Sequence, residues 1–221
     1  MAKPILVLAT KNKGKSAEIR DFLKDFPIDI KDLNDFGPIP EVVEDGNTFE
    51  ENAYKKASFT AKVLGLPALA DDSGLEVEAL GGDPGVHSAR YAGPHATDPE
   101  NNAKLLKALT GVENRKARFC CTLSLAVPAG PALTYEAFCE GLIIDSPRGN
   151  SGFGYDPLFL YTQSGKTFAE MSLEEKTAVS HRGRALAELK AEFAKVLAWL
   201  DRRQQEEELR RGGGDEMCVG R

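Results

Sequence analysis

The sequence predicts an α/β fold with mixed strand pairing. Helical and strand-like segments alternate along the chain, and Arg118–Val127 and Leu133–Ile144 read as two long strands joined as a hairpin across Pro128–Pro131. The chain has 221 residues and 42% hydrophobic content, enough for one large domain or two small lobes around a sizeable core. A cleft between two lobes is the natural place for a site.

The apolar run Ile5–Ala9 is a buried first strand. Loop Thr10–Lys15 follows, then a helix from Ser16 to Lys24 with Ile19, Phe22 and Leu23 on one side. Ile28–Ile30 forms a short second strand, and the Pro-, Gly- and acid-rich Asn34–Asn47 is loop. Thr48-Phe49-Glu50-Glu51 is a capping box that opens a helix ended by Gly65 and Pro67. A strand then stops at Asp71, and Leu75–Leu80 alternates as a half-exposed strand. Gly81–Thr97 is too long for a plain connector. Asp98-Pro99 reads as an N-cap followed by Pro, opening a helix to Leu109. After the hairpin come the strand Leu158–Leu160, a second capping box at Ser172-Leu173-Glu174-Glu175, and a last helix over Arg182–Leu200 with one apolar stripe. Residues 1–200 are expected to form a single two-lobed domain. The charged, Gly-rich residues 201–221 have little to bury and are expected to be disordered.

Net charge is −6, so no bulk basic field draws the protein to nucleic acid or an anionic membrane, and neither is expected as a partner. An anionic small molecule must be met by local Lys and Arg. The first apolar run is too short for a signal peptide or a membrane span. Cys120, Cys121, Cys139 and Cys218 have neither disulfide-framework nor zinc-site spacing, which suits a reducing, cytoplasmic setting.

Ala70-Asp71-Asp72-Ser73-Gly74-Leu75 carries the strongest chemical signal. Adjacent carboxylates repel unless a cation shares them. At a strand end the sharer is a divalent metal serving phosphate chemistry, or else the stretch is a plain Asp-Ser-Gly turn. Thr10, Lys11, Asn12, Lys13, Gly14 and Lys15 lie between a strand and a helix, where free backbone N–H groups and a positive dipole end suit phosphate. Glu44 could add a carboxylate if the fold brings it to Asp72. Phe153, Gly154, Tyr155 and Asp156 combine stacking rings, close backbone approach and an acid able to read a base edge. Lys176 and Ser180-His181-Arg182-Gly183-Arg184 form a cationic cluster, with His181 and Arg182 in the first turn of a helix whose dipole opposes them. His87 has no paired nucleophile and reads as part of a structural or gating loop.

Six segments together resemble the inosine triphosphate pyrophosphatase family, the house-cleaning enzymes that remove ITP, dITP and XTP. They are Thr10–Lys15, Thr48–Ala53, Ala70–Leu75, Gly81-Gly82 through Tyr91, Phe153–Pro157 and Ser180–Gly183, in family order across residues 5–198. The resemblance implies an elongated mixed sheet in two lobes with a central nucleotide cleft, usually as a homodimer. It implies Mg2+-dependent hydrolysis of a nucleoside triphosphate to monophosphate and pyrophosphate. Asp72 matches the proton acceptor and metal ligand, and Glu44 a nearby acidic metal position. Ser73, Thr10–Lys15 and Lys176 match substrate-binding positions, with Lys13, Lys15 and Lys176 expected to neutralise phosphate. Phe153–Asp156, His181 and Arg182 match base-recognition positions, with His181 and Arg182 as donors to the 6-keto group. Val43 stands where bacterial relatives often carry a second glutamate. A pyrophosphatase for other modified nucleotides and a non-catalytic nucleotide sensor are the alternatives.

Overall fold

The computed structural model describes residues 3–212. Seven strands form one sheet: β1 (Ile5–Leu8), β2 (Asp29–Asp32), β3 (Ala68–Val77), β4 (Lys116–Ala126), β5 (Leu133–Ile143), β6 (Phe159–Tyr161) and β7 (Lys166–Thr167). The helices are α1 (Lys13–Leu23), α2 (Phe49–Leu64), α3 (Asp98–Ala108), α4 (Leu173–Val179), α5 (His181–Ala191) and α6 (Phe193–Gly212). The strand order is β2-β1-β3-β4-β5-β6-β7. β1 runs parallel to β2 and to β3, with helices α1 and α2 in the connections; every later neighbour is antiparallel. The mixed sheet flanked by helices agrees with the fold class read from the sequence.

The local signals hold with instructive shifts. Asn12 caps α1 by accepting from the Lys15 N–H at 3.0 Å, so the helix starts three residues before the expected Ser16 and takes Lys13–Lys15 into its first turn. Thr48 caps α2, but Glu51 reaches the Asn47 N–H at 2.7 Å, one residue earlier than a capping box requires. Thr97, not Asp98, caps α3: the Glu100 carboxylate returns to the Thr97 N–H at 2.7 Å. The Ser172 box closes as expected, at 2.8 and 3.1 Å. The last helix is two helices, since the chain leaves helical geometry at Glu192 (φ −103°, ψ 3°). α6 then continues past the expected stop at Leu200 to Gly212. Residues 213–221 of the expected tail, with Cys218, lie outside the described residues. Cys120, Cys121 and Cys139 are buried free thiols.

The largest departure is at the acidic pair. Asp71 and Asp72 do not end a strand. β3 runs unbroken from Ala68 to Val77, paired residue for residue with β4 from Ala126 to Ala117. The long antiparallel partner supplies ladder hydrogen bonds through the acidic step, and alternation sends the two carboxylates to opposite faces. On one face Leu69 packs with Ala185, Leu186 and α1 residues Ile19 and Leu23. On the other, Ala68 and Ala70 pack against Ala57 and Ala61 of α2. A separate cluster around Leu75, Phe119, Phe159 and Phe168 fills the far end of the first face. Polar Asp71 and Ser73 therefore fall between two apolar cores.

Gly74 ends the acidic step because nothing larger fits. A Cβ there would fall on the Gly85 carbonyl oxygen and the Ser88 hydroxyl, both inside van der Waals contact. The Ser88 Oγ accepts from the Leu75 N–H at 2.8 Å and donates to the Gly85 carbonyl at 2.6 Å, clamping that turn onto β3. Gly74→Ala is expected to cost about 1–3 kcal/mol through overpacking, read as a lowered denaturant midpoint at unchanged slope. A loss below about 0.5 kcal/mol would show that the turn yields freely.

Candidate functional site

Two adjoining cavities open between the helices and β3. The larger, about 380 Å3, is lined by the β1–α1 corner (Thr10, Lys11, Asn12, Lys15), by Glu44, by Lys56 and Thr60 of α2, and by Asp71, Asp72 and Ser73. The smaller, about 110 Å3, is lined by Phe153–Asp156, Lys176, His181, Arg182, Asp98 and Phe119. Asn12, Lys15, Ser73 and Ala89 line both, so the cavities form one cleft in two parts.

Lys56 organises the large end. Its ammonium lies 2.5 Å from Asp72 Oδ1, 3.0 Å from Glu44 Oε2 and 3.0 Å from the Asp71 carbonyl oxygen. Burial pushes the Asp72 carboxyl above its usual range although Lys56 and Lys15 pull it down. Burial also acts upward on Glu44, but there Lys56 prevails and holds the carboxyl below its usual range. Two carboxylates converging on an open cavity suit a hard divalent cation that takes its other ligands from water or phosphate oxygens. Among the described residues no group of three or more His, Cys, Asp or Glu is set to enclose a metal by itself.

Asp71, on the opposite face, has no surface exposure in its side chain. It meets Lys15 Nζ at 2.5 Å and Arg182 Nε at 2.7 Å, and it accepts from the Ser73 hydroxyl at 2.8 Å. Burial pushes its carboxyl upward, but Arg182 and Lys15 outweigh that and hold it well below the usual range. The charges continue in alternation. Arg182 pairs with Glu18, Glu18 with Lys176 at 2.9 Å, and Lys176 with Asp156 at 2.7 Å. Burial and Glu18 keep the Asp156 carboxyl above its usual range against the pull of Lys176.

The small end is aromatic. Phe153 lies under the Lys176 ammonium at 4.8 Å and the Arg182 guanidinium at 5.5 Å. Its loop is fixed by its own backbone: Asp156 accepts from the Phe153 N–H at 2.9 Å and Asp98 accepts from the Gly154 N–H at 2.7 Å. The Tyr155 hydroxyl donates to the Ser88 carbonyl at 2.8 Å and so serves the scaffold. His181 stacks on Phe119 with centroids 4.6 Å apart and planes 10° from parallel. Its Nδ1 is buried with no protein partner. Burial, then Arg182, holds the imidazole well below its usual range, so it is neutral.

Most of the expected site residues converge, and four are placed differently. Lys13 is exposed and lines neither cavity. Gly14 lines neither; it lets α1 approach the Phe153 ring, which a Cβ there would meet at 2.6 Å. Lys176, expected to neutralise phosphate, is turned into the small end because Glu18 and Asp156 hold it there. Arg182, expected as a donor to the base, already spends donors on Asp71, Glu18 and Ser73.

The sequence reading missed Lys56, Glu18 and the role of Asp98. A signal for Lys56 exists. Asn52, Lys56 and Thr60 recur every four residues on α2, a polar stripe on a face that should be apolar. Asn52 and Thr60 are buried, and Asn52 holds the Gly46 N–H at 2.8 Å, tying the Glu44 loop to the same face.

The neutral, buried His181 has a pH consequence. Its folded-state value lies below that of the unfolded chain, so the unfolded chain takes the extra proton below about pH 6.5 and stability falls as pH drops through that range. One proton gives a slope of at most about 1.4 kcal/mol per pH unit. His181→Phe keeps the stacking surface and should flatten that part of the stability profile between pH 5 and 7. Parallel wild-type and variant denaturation curves would show that His181 is not the group responsible.

No helix among the described residues is long and apolar enough to cross a membrane. Over 219 residues the chain is 72% identical to the dITP/XTP pyrophosphatase of Syntrophobacter fumaroxidans, covering 99% of this chain and 94% of that one. It is 60% identical to the dITP/XTP pyrophosphatase of Desulfotalea psychrophila, covering 92% of each. The solved structure of a HAM1 protein from Coxiella burnetii superposes with a TM-score of 0.80 at 43% identity, over 87% of this chain and 99% of that one. The Ham1 protein structure from Staphylococcus aureus gives 0.78 at 39% identity, over 86% and 98%. The family model described as the Ham1 family matches residues 6–192, so the resemblance read from six short segments extends through the domain and the chain belongs to the Ham1 family.

Proposed function

We propose that this protein hydrolyses deaminated purine nucleoside triphosphates (ITP, dITP and XTP) to the monophosphate and pyrophosphate, with Mg2+, acting as a cytoplasmic homodimer. The observation that carries the reading is the two-part cleft: a carboxylate- and lysine-lined end joined through Lys15 and Ser73 to an aromatic end holding an unpartnered imidazole nitrogen. The names of the relatives, dITP/XTP pyrophosphatases, support it.

The α1 N-terminus offers backbone N–H groups and the Lys11 and Lys15 ammoniums to the phosphates. Bound at Asp72 and Glu44, Mg2+ would supply positive charge against the phosphate oxygens. Asp72 accepts a proton from the attacking water. The water oxygen bonds to the α-phosphorus while the α–β bridging bond breaks, and pyrophosphate leaves with the bridging oxygen.

At the small end the base stacks on Phe153, with the open Nδ1 of His181 meeting its edge. A 6-keto group accepts where adenine donates, so a donor-lined edge leaves groups unpaired when ATP binds. Arg182 acts here chiefly by holding the surrounding carboxylates, since its donors are largely spent.

A panel of ITP, XTP, GTP, ATP, dUTP and methylated dTTP tests the reading. Pyrophosphate release is expected with ITP and XTP, abolished by EDTA. Preference for a pyrimidine would replace this reading with the modified-pyrimidine alternative, and binding without release would make the protein a sensor. Asp72→Asn should lower ITP turnover far more than tenfold, and turnover within tenfold of wild type would remove Asp72 as base or ligand. His181→Ala should lower kcat/KM for ITP by roughly 10–100-fold, the effect of one lost buried hydrogen bond, while inhibition by tripolyphosphate shifts little. Equal losses in both would place His181 outside base reading.

A further inference from the structure

Lys56 is bound in an unusual way for a lysine. All three donors of its ammonium are satisfied, by Asp72 Oδ1, Glu44 Oε2 and the Asp71 carbonyl oxygen, at 2.5–3.0 Å, and its side chain is 12% exposed. Three oxygens converging on one positive centre is the donor set a hard cation takes. Resting on the reading that Asp72 and Glu44 take a divalent cation, we propose that Lys56 is a resident counter-ion: it holds the cation position in the metal-free protein and is displaced when metal arrives.

Two carboxylates held within 3.0 Å of one ammonium repel each other, and a metal-free site needs a positive group to hold them together. Lys56 is the cation nearest both, and it reaches them from α2 without closing the cavity, which it also lines. A divalent ion taking those carboxylate oxygens competes with the ammonium, because like charges at that separation repel. Free metal must therefore expel the ammonium, which makes its binding weak. A triphosphate changes the balance: the expelled ammonium stays in the cavity and gains phosphate oxygens as partners. Metal and triphosphate then favour each other's binding by the same factor. The site thus accepts the metal–triphosphate complex over either component alone.

The test is Mg2+ titration by calorimetry into chelator-treated, nucleotide-free protein. Lys56→Met should bind Mg2+ at least tenfold more tightly than wild type, and Asp72→Asn in that background should abolish the binding. A lysine serving only to fasten α2 to β3 would lower stability without raising metal affinity, and that result overturns the proposal. In the unmodified protein, the 15N resonance of the Lys56 ammonium, identified by its loss in Lys56→Arg, should shift or vanish at saturating Mg2+. This readout holds even if the Met variant fails to fold, and an unchanged resonance at saturation also overturns the proposal. If no Asp72-dependent Mg2+ binding occurs in any variant, with or without inorganic tripolyphosphate, the metal reading itself falls and the exchange falls with it.

Discussion

The ion pair between Asp71 and Arg182 is the contact on which the site depends. Burying either charge alone would cost several kcal/mol, and together they are tolerated only with good geometry and further partners. Those partners are present: Lys15 and Ser73 on the Asp71 side, Glu18 on the Arg182 side. Through them one alternating chain of charge joins α1, β3, α5, α4 and the Phe153–Asp156 loop. The elements that hold the two ends of the cleft are thus fastened to one another by the groups that line it. This also resolves the apparent conflict of cations at the start of α5, since Asp71 and Glu18 supply the negative charge that the helix dipole favours there.

The setting makes that chain possible. Asp71 and Ser73 occupy the gap between the cluster built on Leu69, Leu186 and Phe193 and the cluster built on Leu75, Phe119 and Phe168. Apolar packing on both sides excludes water and fixes side-chain rotamers, which keeps the ionic contacts short. His181 shows the same economy: its ring stacks on Phe119 as part of the core while one nitrogen remains unpaired at the cavity wall.

What could be read from the sequence divides along physical lines. Contiguous signals were legible: the caps at Thr48 and Ser172 and the β4–β5 hairpin, while the family resemblance implied the gathering of Asp72, Ser73, Lys15, Phe153 and His181 at one cleft. Signals requiring a partner distant in the chain were not. The acidic step read as a strand end because two carboxylates in mid-strand are unfavourable alone; only β4 and three cations make them stable there. The pairing of Lys176 with Glu18, far away in sequence, is invisible until the helices pack. Asp98 read as a cap because Asp-Pro is a good helix start, and Thr97 with Glu100 simply does it better.

The alternation along β3 has an evolutionary corollary. Neighbouring aspartates share a dipeptide yet live in separate environments, one enclosed between Lys15 and Arg182 and the other facing the cavity beside Lys56. Their identities depend on parity. Adding or deleting a single residue between Ala68 and Ser73 would exchange the two faces and hand each acid the other's surroundings. Substitutions can tune this segment gradually, whereas any change in its length by one is an all-or-nothing event, so its history should be written in replacements and never in gaps.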